Sequence, residues 1–212
     1  VLVLAQKIVS KAEGRIVDVA TVAPSAEAVE LAAKVQKDPR LVQVILNESA
    51  RVVRARPNVL IVEHKRGWVM ANAGVDHSNV APPDGVDRVL LLPADPDASA
   101  AALRAELAPG MPFGVVINDS FGRAWRRGTM GIAIGAAGLP ALLDLRGNPD
   151  LFGRILEVSI SGFADEIAAA ASLVQGQGAE GQPVVLVRGL AWEQPAHGAA
   201  ELVRPAAEDM FR

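Results

Sequence analysis

The most informative segment of the sequence is Gly114-Val115-Val116-Ile117-Asn118-Asp119-Ser120. A short β-branched run ends there in three polar residues. Valine and isoleucine favour strands, so the sequence predicts a strand at residues 114–117. The C-terminal end of this strand carries Asn118, Asp119 and Ser120. Ligands commonly bind beyond the carboxyl ends of strands in open sheets, so we expect the chemistry of this protein at this position.

The segment after this strand adds a cluster of arginines to the carboxylate and the hydroxyl. Phe121 and Gly122 are followed by Arg123-Ala124-Trp125-Arg126-Arg127-Gly128. Mg²⁺ and Mn²⁺ prefer oxygen ligands, and arginine forks match phosphate or carboxylate oxygens, so this mixture suits phosphoryl transfer. A turn that caps the strand, with its arginines on a solvated face, explains the same residues equally well. The residues alone leave both interpretations open.

A second acidic loop follows a predicted strand at residues 68–72. It reads Ala73-Gly74-Val75-Asp76-His77-Ser78-Asn79, and it could hold a divalent ion through Asp76 and a ligand through Asn79. From these residues alone we favour an Asx-type turn, in which the two side chains bond nearby backbone amides. His77 is more typical of a solvated surface residue than of a ligand.

A glycine-spaced loop, Gln175-Gly176-Gln177-Gly178-Ala179-Glu180-Gly181-Gln182, lies between a predicted helix and a predicted strand. Its backbone amides could approach a nucleotide closely. It lacks the Lys-Ser/Thr ending of a P-loop, so by itself it indicates only a flexible connection. Asp165 and Glu166 fall in the first turn of the preceding helix, where carboxylates favour the positive end of the helix dipole, and we interpret both as structural.

The remaining hydrophobic pattern predicts a mixture of helices and strands. Strands are expected at residues 1–4, 15–19, 59–63, 89–92 and 184–188, the first and the last of them buried. Helices are expected after the N-cap Ser25 and at residues 41–53, 99–107 and 165–174. Residues 6–14 are interpreted as a turn, and the glycine-rich residues 128–138 as close packing of backbones. With no internal repeat and no long polar linker, we expect an α+β fold of mixed sheets with packed helices, in one domain of residues 1–212.

Composition excludes several classes of protein. Half of the 212 residues are hydrophobic, which allows a sizeable core, and the absence of cysteine excludes disulfides, thiolate nucleophiles and cysteine-ligated metals. A net charge of −3, with most Lys and Arg residues scattered along the chain, gives no basic field for nucleic acid. No apolar run is long enough for a membrane span. We therefore expect a cytoplasmic protein with neither a nucleic-acid nor a membrane partner.

Five strings occur in one order along the chain and together resemble the coenzyme F420-0:L-glutamate ligase family. They are residues 6–14, residues 73–79, Asp119-Ser120-Phe121-Gly122-Arg123-Ala124-Trp125-Arg126, Asp150-Leu151-Phe152-Gly153-Arg154 and Ala164-Asp165-Glu166-Ile167-Ala168. The resemblance implies the unusual α+β fold of that gamma-glutamyl ligase family and an intertwined homodimer. It also implies that an N-terminal strand and loop of the family would precede Val1.

The resemblance implies a ligase of coenzyme F420 biosynthesis. GTP would phosphorylate a carboxylate of the deazaflavin precursor F420-0, and L-glutamate would attack the acyl phosphate, with GDP as a product. Two Mg²⁺ or Mn²⁺ ions and K⁺ would assist. Asp76 and Asp119 would be catalytic and hold one metal ion, while Ser120 and Gln177 would help to hold the second. GTP would contact the residues Gln6, Lys11, Asn79, Gln175, Gly176, Gln177, Gly178, Ala179, Glu180, Gly181 and Gln182.

The chain departs from the family pattern at two places, which keeps other functions open. Asn118 and Ser120 flank Asp119 where the family usually has Ser or Thr and then Thr, so a hydroxyl ligand is kept. Ser159-Ile160-Ser161-Gly162-Phe163 replaces a usual Thr-Glu pair and β-branched run. A module that binds deazaflavin or nucleotide without catalysis is one alternative function. A related carboxylate–amine ligase with another acceptor is a second.

Overall fold

The computed structural model describes residues 1–80, 85–107 and 109–210, and these form a mixture of helices and several small sheets. The strands are β1 Leu2–Ala5, β2 Ile16–Asp18, β3 Ser49–Arg56, β4 Val59–His64, β5 Val69–Ala71, β6 Arg88–Leu90, β7 Val115–Gly122, β8 Thr129–Ala137, β9 Leu143–Asp144, β10 Ile160–Ser161 and β11 Val184–Leu186. The α-helices are α1 Gln6–Ala12, α2 Ala26–Val35, α3 Pro39–Glu48, α4 Pro96–Leu107 and α5 Phe163–Gln175. The predicted α+β class is confirmed.

The chain divides into two compact units, each with its own hydrophobic core. Unit 1 consists of Val1–Gln6, Asp95–Ser120 and Met130–Arg212, and unit 2 consists of Lys7–Ala94 and Phe121–Thr129. Each unit is therefore built from segments that are far apart in the sequence. The expectation of one domain stays a prediction.

Unit 1 is organised around a four-stranded sheet with the order β11-β1-β7-β8. Strand β7 lies inside this sheet and pairs in parallel with β1, from Leu2 opposite Val115 to Ala5 opposite Asn118. Helix α5 lies very close to β8, because a Cβ atom at Gly131 would be 2.4 Å from the Ala168 carbonyl oxygen. Only glycine allows this approach, so the predicted close packing of backbones in the glycine-rich segment is confirmed.

Unit 2 combines a three-stranded sheet, β3-β4-β5, with the two-stranded sheet β2-β6 and the helices α2 and α3. The predicted cap of α2 is present, since the Ser25 hydroxyl accepts a hydrogen bond from the Ala28 amide at 3.2 Å. Asp38 caps α3 in the same manner through the Arg40 amide at 2.7 Å. The apolar faces of the two helices pack into one buried cluster that contains Val35, Ile45 and Val62.

Two predictions of local structure are wrong in unit 2. Residues 6–14, interpreted as a turn, contain helix α1. Its apolar residues Ile8 and Val9 have polar neighbours on both sides, so no helical pattern was recognised. The helix predicted at residues 41–53 ends at Glu48, and Ser49–Arg56 forms strand β3, which pairs antiparallel with β4. The β-branched residues at 52 and 53 favour a strand, and the pairing with β4 outweighs the helical spacing of the apolar positions.

Two predictions are also corrected in unit 1. Strand β11 was expected to be buried, but Val184 and Leu186 are exposed because β11 pairs only with β1 at the edge of its sheet. Strand β7 does not end at residue 117 and continues to Gly122. Asp119 and Ser120 consequently lie on the regular backbone of a strand, and not in a loop.

Among the described residues, no helix is long and apolar enough to span a membrane. The longest helix, α5, has 13 residues, well short of the roughly 20 that a span requires. The expected cytoplasmic location goes further than this finding and stays a prediction.

Candidate functional site

Strand β7 places its three polar residues on two faces of the sheet of unit 1. Side chains alternate along a strand, so Asn118 and Ser120 point to one face and Asp119 to the other. The Ser120 hydroxyl donates a short hydrogen bond to the Gln177 side-chain oxygen, which brings two predicted ligands of the second metal ion together. Asp119 is half-buried on the same strand. Strand β7 lies between β1 and β8, and its pairing with β1 ends at Asn118, directly before these two residues.

Asn118 is buried behind this contact, in a pair with Gln175 at the end of helix α5. The Asn118 side-chain amide donates to the Gln175 side-chain oxygen at 2.8 Å. Sequence reasoning treated Asn118 only as a departure from the family pattern and did not find this partner. The expectation that Gln175 contacts GTP stays a prediction.

The loop after α5 uses its backbone amides to bind a carboxylate of its own chain. Gly176 has φ of 72°, and a Cβ atom there would lie 2.1 Å from the Glu180 side chain, so this turn requires glycine. The Gly178 amide donates to the Glu180 carboxylate at 2.8 Å. Hydrogen bonds from the amide of Glu180 itself, and then from Gly178 and Gln177, lower the pKa of Glu180. The amides of this loop therefore already stabilise a negative charge.

The acidic loop of unit 2 is held by a lysine that sequence reasoning missed. Lys7 Nζ lies 2.8 Å from Asp76 Oδ2 and also donates to the Ser78 hydroxyl. The Ser78 amide donates to Asp76 Oδ1 at 2.6 Å, so the expected Asx-type turn is present as well. Burial raises the pKa of Asp76, but the hydrogen bonds from Lys7 and Ser78 outweigh it, and the net pKa is lowered. Asp76 therefore carries a negative charge at neutral pH.

Lys11 reaches the same loop from one turn further along α1. Its Nζ donates to the backbone oxygen of Asn79 at 2.6 Å. Lys7 and Lys11 are four residues apart, so they lie on one face of the helix. This spacing would have indicated Lys7 as a partner if α1 had been predicted. Gln6, the first residue of α1, is buried, and the predicted contacts of Gln6, Lys11 and Asn79 with GTP stay predictions.

The loop of unit 2 that follows β7 is exposed. Trp125 is 89% exposed and has φ of 65°, a conformation that costs energy for a bulky residue. Arg123 bonds across the loop to the Gly128 carbonyl oxygen at 3.2 Å. His77 is also exposed, as expected, and its Nε2 lies 3.2 Å from Asp87. Exposure agrees with the solvated-face interpretation of the arginines but also leaves them accessible to an anionic ligand.

The carboxylate of Asp165 has the structural role that was expected for it. It accepts a hydrogen bond from the Ala133 amide at 2.9 Å and so joins α5 to β8 within unit 1. Burial raises the pKa of Asp165, and the bond from Ala133 opposes this only in part. We therefore place Asp165 outside the candidate site.

The side chains predicted as metal ligands fit a hard divalent cation. Asp76 is ionised, and Ser120 and Gln177 present oxygens to each other, which matches the oxygen preference of Mg²⁺ and Mn²⁺. Within the part of the chain that the structure describes, no three acidic or histidine side chains form a ready-made metal cluster. The metal ligands to test are therefore the predicted ones, which combine the Ser120 hydroxyl and the Gln177 amide with carboxylates.

Comparison with known proteins gives the class of protein. The profile of the F420-0:Gamma-glutamyl ligase family matches residues 1–189. The chain is 44% identical over 214 residues to the coenzyme F420:L-glutamate ligase of Methanocaldococcus jannaschii, and the match covers 100% of this chain and 84% of that protein. For the proteins of the same name from Methanothermobacter thermautotrophicus and Methanopyrus kandleri, the identities are 44% and 45% with similar coverage.

These matches span the candidate site and nearly all of the chain. The protein is therefore a ligase by family, and the chain belongs to the F420-0:gamma-glutamyl ligase family. The resemblance inferred from the five ordered strings is confirmed.

Proposed function

We propose that this chain joins L-glutamate to the deazaflavin precursor F420-0 at the expense of GTP. The family is that of F420-0:gamma-glutamyl ligase, and the relatives that match over the full length of this chain are coenzyme F420:L-glutamate ligases, which supports the acceptor and the amino acid. The observation that carries the proposal is the pairing of Ser120 with Gln177 beside Asp119, because it collects oxygen ligands where the resemblance implies the metal centre.

The proposed reaction has two steps. A carboxylate oxygen of F420-0 attacks the γ-phosphorus of GTP, the bond to the bridging oxygen breaks, and GDP leaves. The deprotonated amine of glutamate then attacks the carbonyl carbon of the acyl phosphate. The C–O bond breaks, and phosphate leaves with that carboxylate oxygen. An amide is formed and one proton is released to solvent.

Four residues are proposed to hold the divalent ions. Asp119, Ser120 and Gln177 belong to unit 1, and Asp76 belongs to unit 2. When bound, Mg²⁺ or Mn²⁺ would neutralise the negative charge of the phosphate oxygens. The chain's own part is to fix these oxygens on β7 and the adjoining loop. That Asp76 and Asp119 share one ion, and that K⁺ takes part, stay predictions.

The proposed nucleotide contacts rest on the positive charge of one lysine and on backbone amides that already bind a carboxylate. Lys11 is exposed and supplies an ammonium group beside Asn79. The amides of Gln177, Gly178 and Glu180 bind the Glu180 carboxylate, and a phosphate oxygen is an acceptor of the same kind. We propose that residues 176–182 of this loop contact the phosphates of GTP when the Glu180 carboxylate moves away from these amides.

A homodimer is proposed because a hairpin of unit 1, which contains Leu151, Phe152 and Val158, exposes apolar side chains. Leu151 and Phe152 are 97% and 95% exposed, and Val158 is exposed as well. Exposed apolar clusters of this kind are typical of protein interfaces. Sedimentation analysis should give a dimer for the unaltered chain and a smaller species for Phe152→Asp. If both the unaltered chain and Phe152→Asp are monomers, the hairpin does not form a dimer interface.

The activity is tested by incubating the protein with F420-0, glutamate, GTP and Mn²⁺, and by omitting each component in turn. We expect glutamylated product by mass spectrometry, and GDP only in the complete mixture. If F420-0 binds but no product forms while a known ligase works under the same conditions, the chain is a binding module. Product formed only with another carboxylate acceptor would indicate the related ligase instead.

A further inference from the structure

Within unit 1, a buried pair of side-chain amides lies two residues before Ser120 on β7, next to the contact between Ser120 and Gln177. Asn118 Nδ2 donates to Gln175 Oε1 at 2.8 Å, and the two residues are 4% and 9% exposed. The pair joins the central strand β7 to the last residue of α5. A hydrogen bond that is shielded from water is stronger than the same bond at a surface, and leaving either partner unpaired is costly.

Neighbouring carbonyl groups fix the orientation of both amides. Asn118 Nδ2 also faces the Ala168 carbonyl oxygen at 3.4 Å, and Gln175 Nε2 faces the Pro183 carbonyl oxygen at 3.4 Å. A carbonyl oxygen only accepts, so turning either amide over would set two oxygens against each other. The arrangement therefore has one favourable orientation. Asn118 Oδ1 stays buried with no hydrogen-bond partner among the described residues.

The two contacts between β7 and the end of α5 have the same spacing on both sides. Asn118 and Ser120 are two residues apart and lie on one face of the strand, while Gln175 and Gln177 are also two residues apart. The first pair is buried and the second is accessible. The accessible pair carries the two proposed ligands, and the buried pair holds their backbones at a constant separation.

We infer that Asn118 and Gln175 are positioning residues, which hold Ser120 and Gln177 in place to bind a divalent cation. The inference rests on the proposed function in taking Ser120 and Gln177 as metal ligands. Gln175 then acts through its neighbour Gln177, and not by contact with GTP.

The test measures Mn²⁺ affinity of the full chain without substrates. Gln175→Met keeps an unbranched side chain of similar length but removes both polar atoms, and Asn118→Ala removes the other partner. Asn47→Ala is the matched control, because Gln43 donates to Asn47 at 2.8 Å in an exposed pair of amides in unit 2. Loss of residues that orient metal ligands weakens metal binding by about 10- to 100-fold.

We expect both single variants to bind Mn²⁺ about tenfold or more weakly, and the control to bind like the unaltered protein. The double variant should be no weaker than the weaker single variant, because both changes break one contact. In the ligation assay, kcat should fall while the KM for GTP stays within about twofold. A role that is only structural would lower thermal stability and leave Mn²⁺ affinity unchanged.

Unchanged Mn²⁺ affinity in folded Gln175→Met overturns the inference, as does a large rise in the KM for GTP with kcat unaltered. If Asn118→Ala does not fold, Gln175→Met alone decides. If the unaltered protein forms no product but the variants lose Mn²⁺ affinity, the inference stands and the proposed function fails. If the unaltered protein binds no Mn²⁺ at the oxygens of Ser120 and Gln177, the inference fails whatever the reaction.

Discussion

The polar residues of β7 and those of the loop around Asp76 are held in contrasting ways. Asn118, Asp119 and Ser120 lie on an inner strand of a sheet, which pairs with β1 as far as Asn118, and the side chain of Asn118 makes a buried amide contact. Asp76 lies in a loop whose side-chain contacts are with Lys7 and Ser78, all at least partly exposed. Salt weakens contacts between exposed charges, whereas it affects buried hydrogen bonds little.

The contrast concerns the side chains, because the backbone of Asp76 also exchanges two hydrogen bonds with Leu90 within unit 2. A strand inside a sheet moves only with its neighbours, so β7 is suited to hold ligands in fixed positions. The ammonium group of Lys7 forms an ion pair with Asp76 Oδ2. This ammonium group must move away before a metal ion can bind that oxygen. We therefore expect substitutions on β7 to reduce turnover more than substitutions in the loop.

The largest effect is expected for Asp119→Glu. The added methylene displaces the carboxylate by about 1 Å, and misplacement of that size can cost about 100-fold in rate. Asp165→Asn is the matched control in unit 1, because its side-chain oxygen can still accept from Ala133. Turnover should fall about 100-fold in Asp119→Glu and stay near normal in Asp165→Asn. The reverse order would show that Asp165, and not Asp119, belongs to the metal centre.

A smaller reduction is expected for Asp76→Asn. A neutral amide is a weaker ligand for Mn²⁺ than a carboxylate, so affinity should fall by the roughly tenfold or more that changes around metal ligands produce. The fold should persist, since Asp76 lies outside the core. Asp38→Asn is the control, because Asp38 is another exposed aspartate with a close basic partner, Arg40 at 2.6 Å. Normal Mn²⁺ affinity and turnover in Asp76→Asn would remove this residue from the site.

Lys11→Ala should change the nucleotide requirement alone. Lys11 donates to the Asn79 carbonyl oxygen and is proposed to contact a phosphate of GTP, so its removal should raise the KM for GTP several-fold and leave the KM for glutamate unaltered. Lys34→Ala, at the exposed end of α2, serves as the control for loss of charge. Equal increases for both substrates would indicate that Lys11 only supports the loop through Asn79.

The smallest effect on turnover is expected at His64, a buried residue of unit 2 outside both groups. Burial first, and then the charges of Arg66, Lys65 and Arg15, lower the pKa of His64 to about 4. Below about pH 6.5 the unfolded chain binds a proton that the folded chain does not. The free energy of unfolding should therefore fall as pH falls from about 6.5 to about 4, by at most about 1.4 kcal/mol per pH unit.

The pH dependence is measured by urea unfolding between about pH 7 and about pH 5. His64→Gln keeps a side-chain oxygen that can accept from the Arg66 amide, which now bonds His64 Nδ1, but it does not titrate. Its unfolding free energy should change less over this range. An identical pH dependence in both proteins would assign the effect to other groups.

Local signals predicted much of the fold. The cap at Ser25 and the alanine-rich pattern of α5 gave helices, and the β-branched run before Asn118 gave β7. Helix α1 was missed because it has only seven residues, of which three are apolar, too few to show a helical period. Strand β3 was missed because its pairing with β4 depends on tertiary structure, which helical spacing in one segment does not report.

The site was predicted as a list of residues, but not as a set of contacts. Asp76, Asp119, Ser120 and Gln177 came from the resemblance, and their ligand roles remain to be tested. The partners Lys7 for Asp76 and Gln175 for Asn118 are separated from them by 69 and 57 residues, as the positions and the contacts show. Such pairs depend on how strands and helices pack together. Local patterns in a single sequence do not predict which distant residues will be in contact.

The central claim is that phosphoryl transfer activates a carboxylate of F420-0 before glutamate attacks. It is tested most directly with F420-0 whose reacting carboxylate is labelled with ¹⁸O. The proposed steps require phosphate to leave with one of these oxygens, so mass spectrometry should find one labelled oxygen in the phosphate released per amide formed. Glutamylated product accompanied by unlabelled phosphate would contradict the acyl-phosphate route and the function built on it.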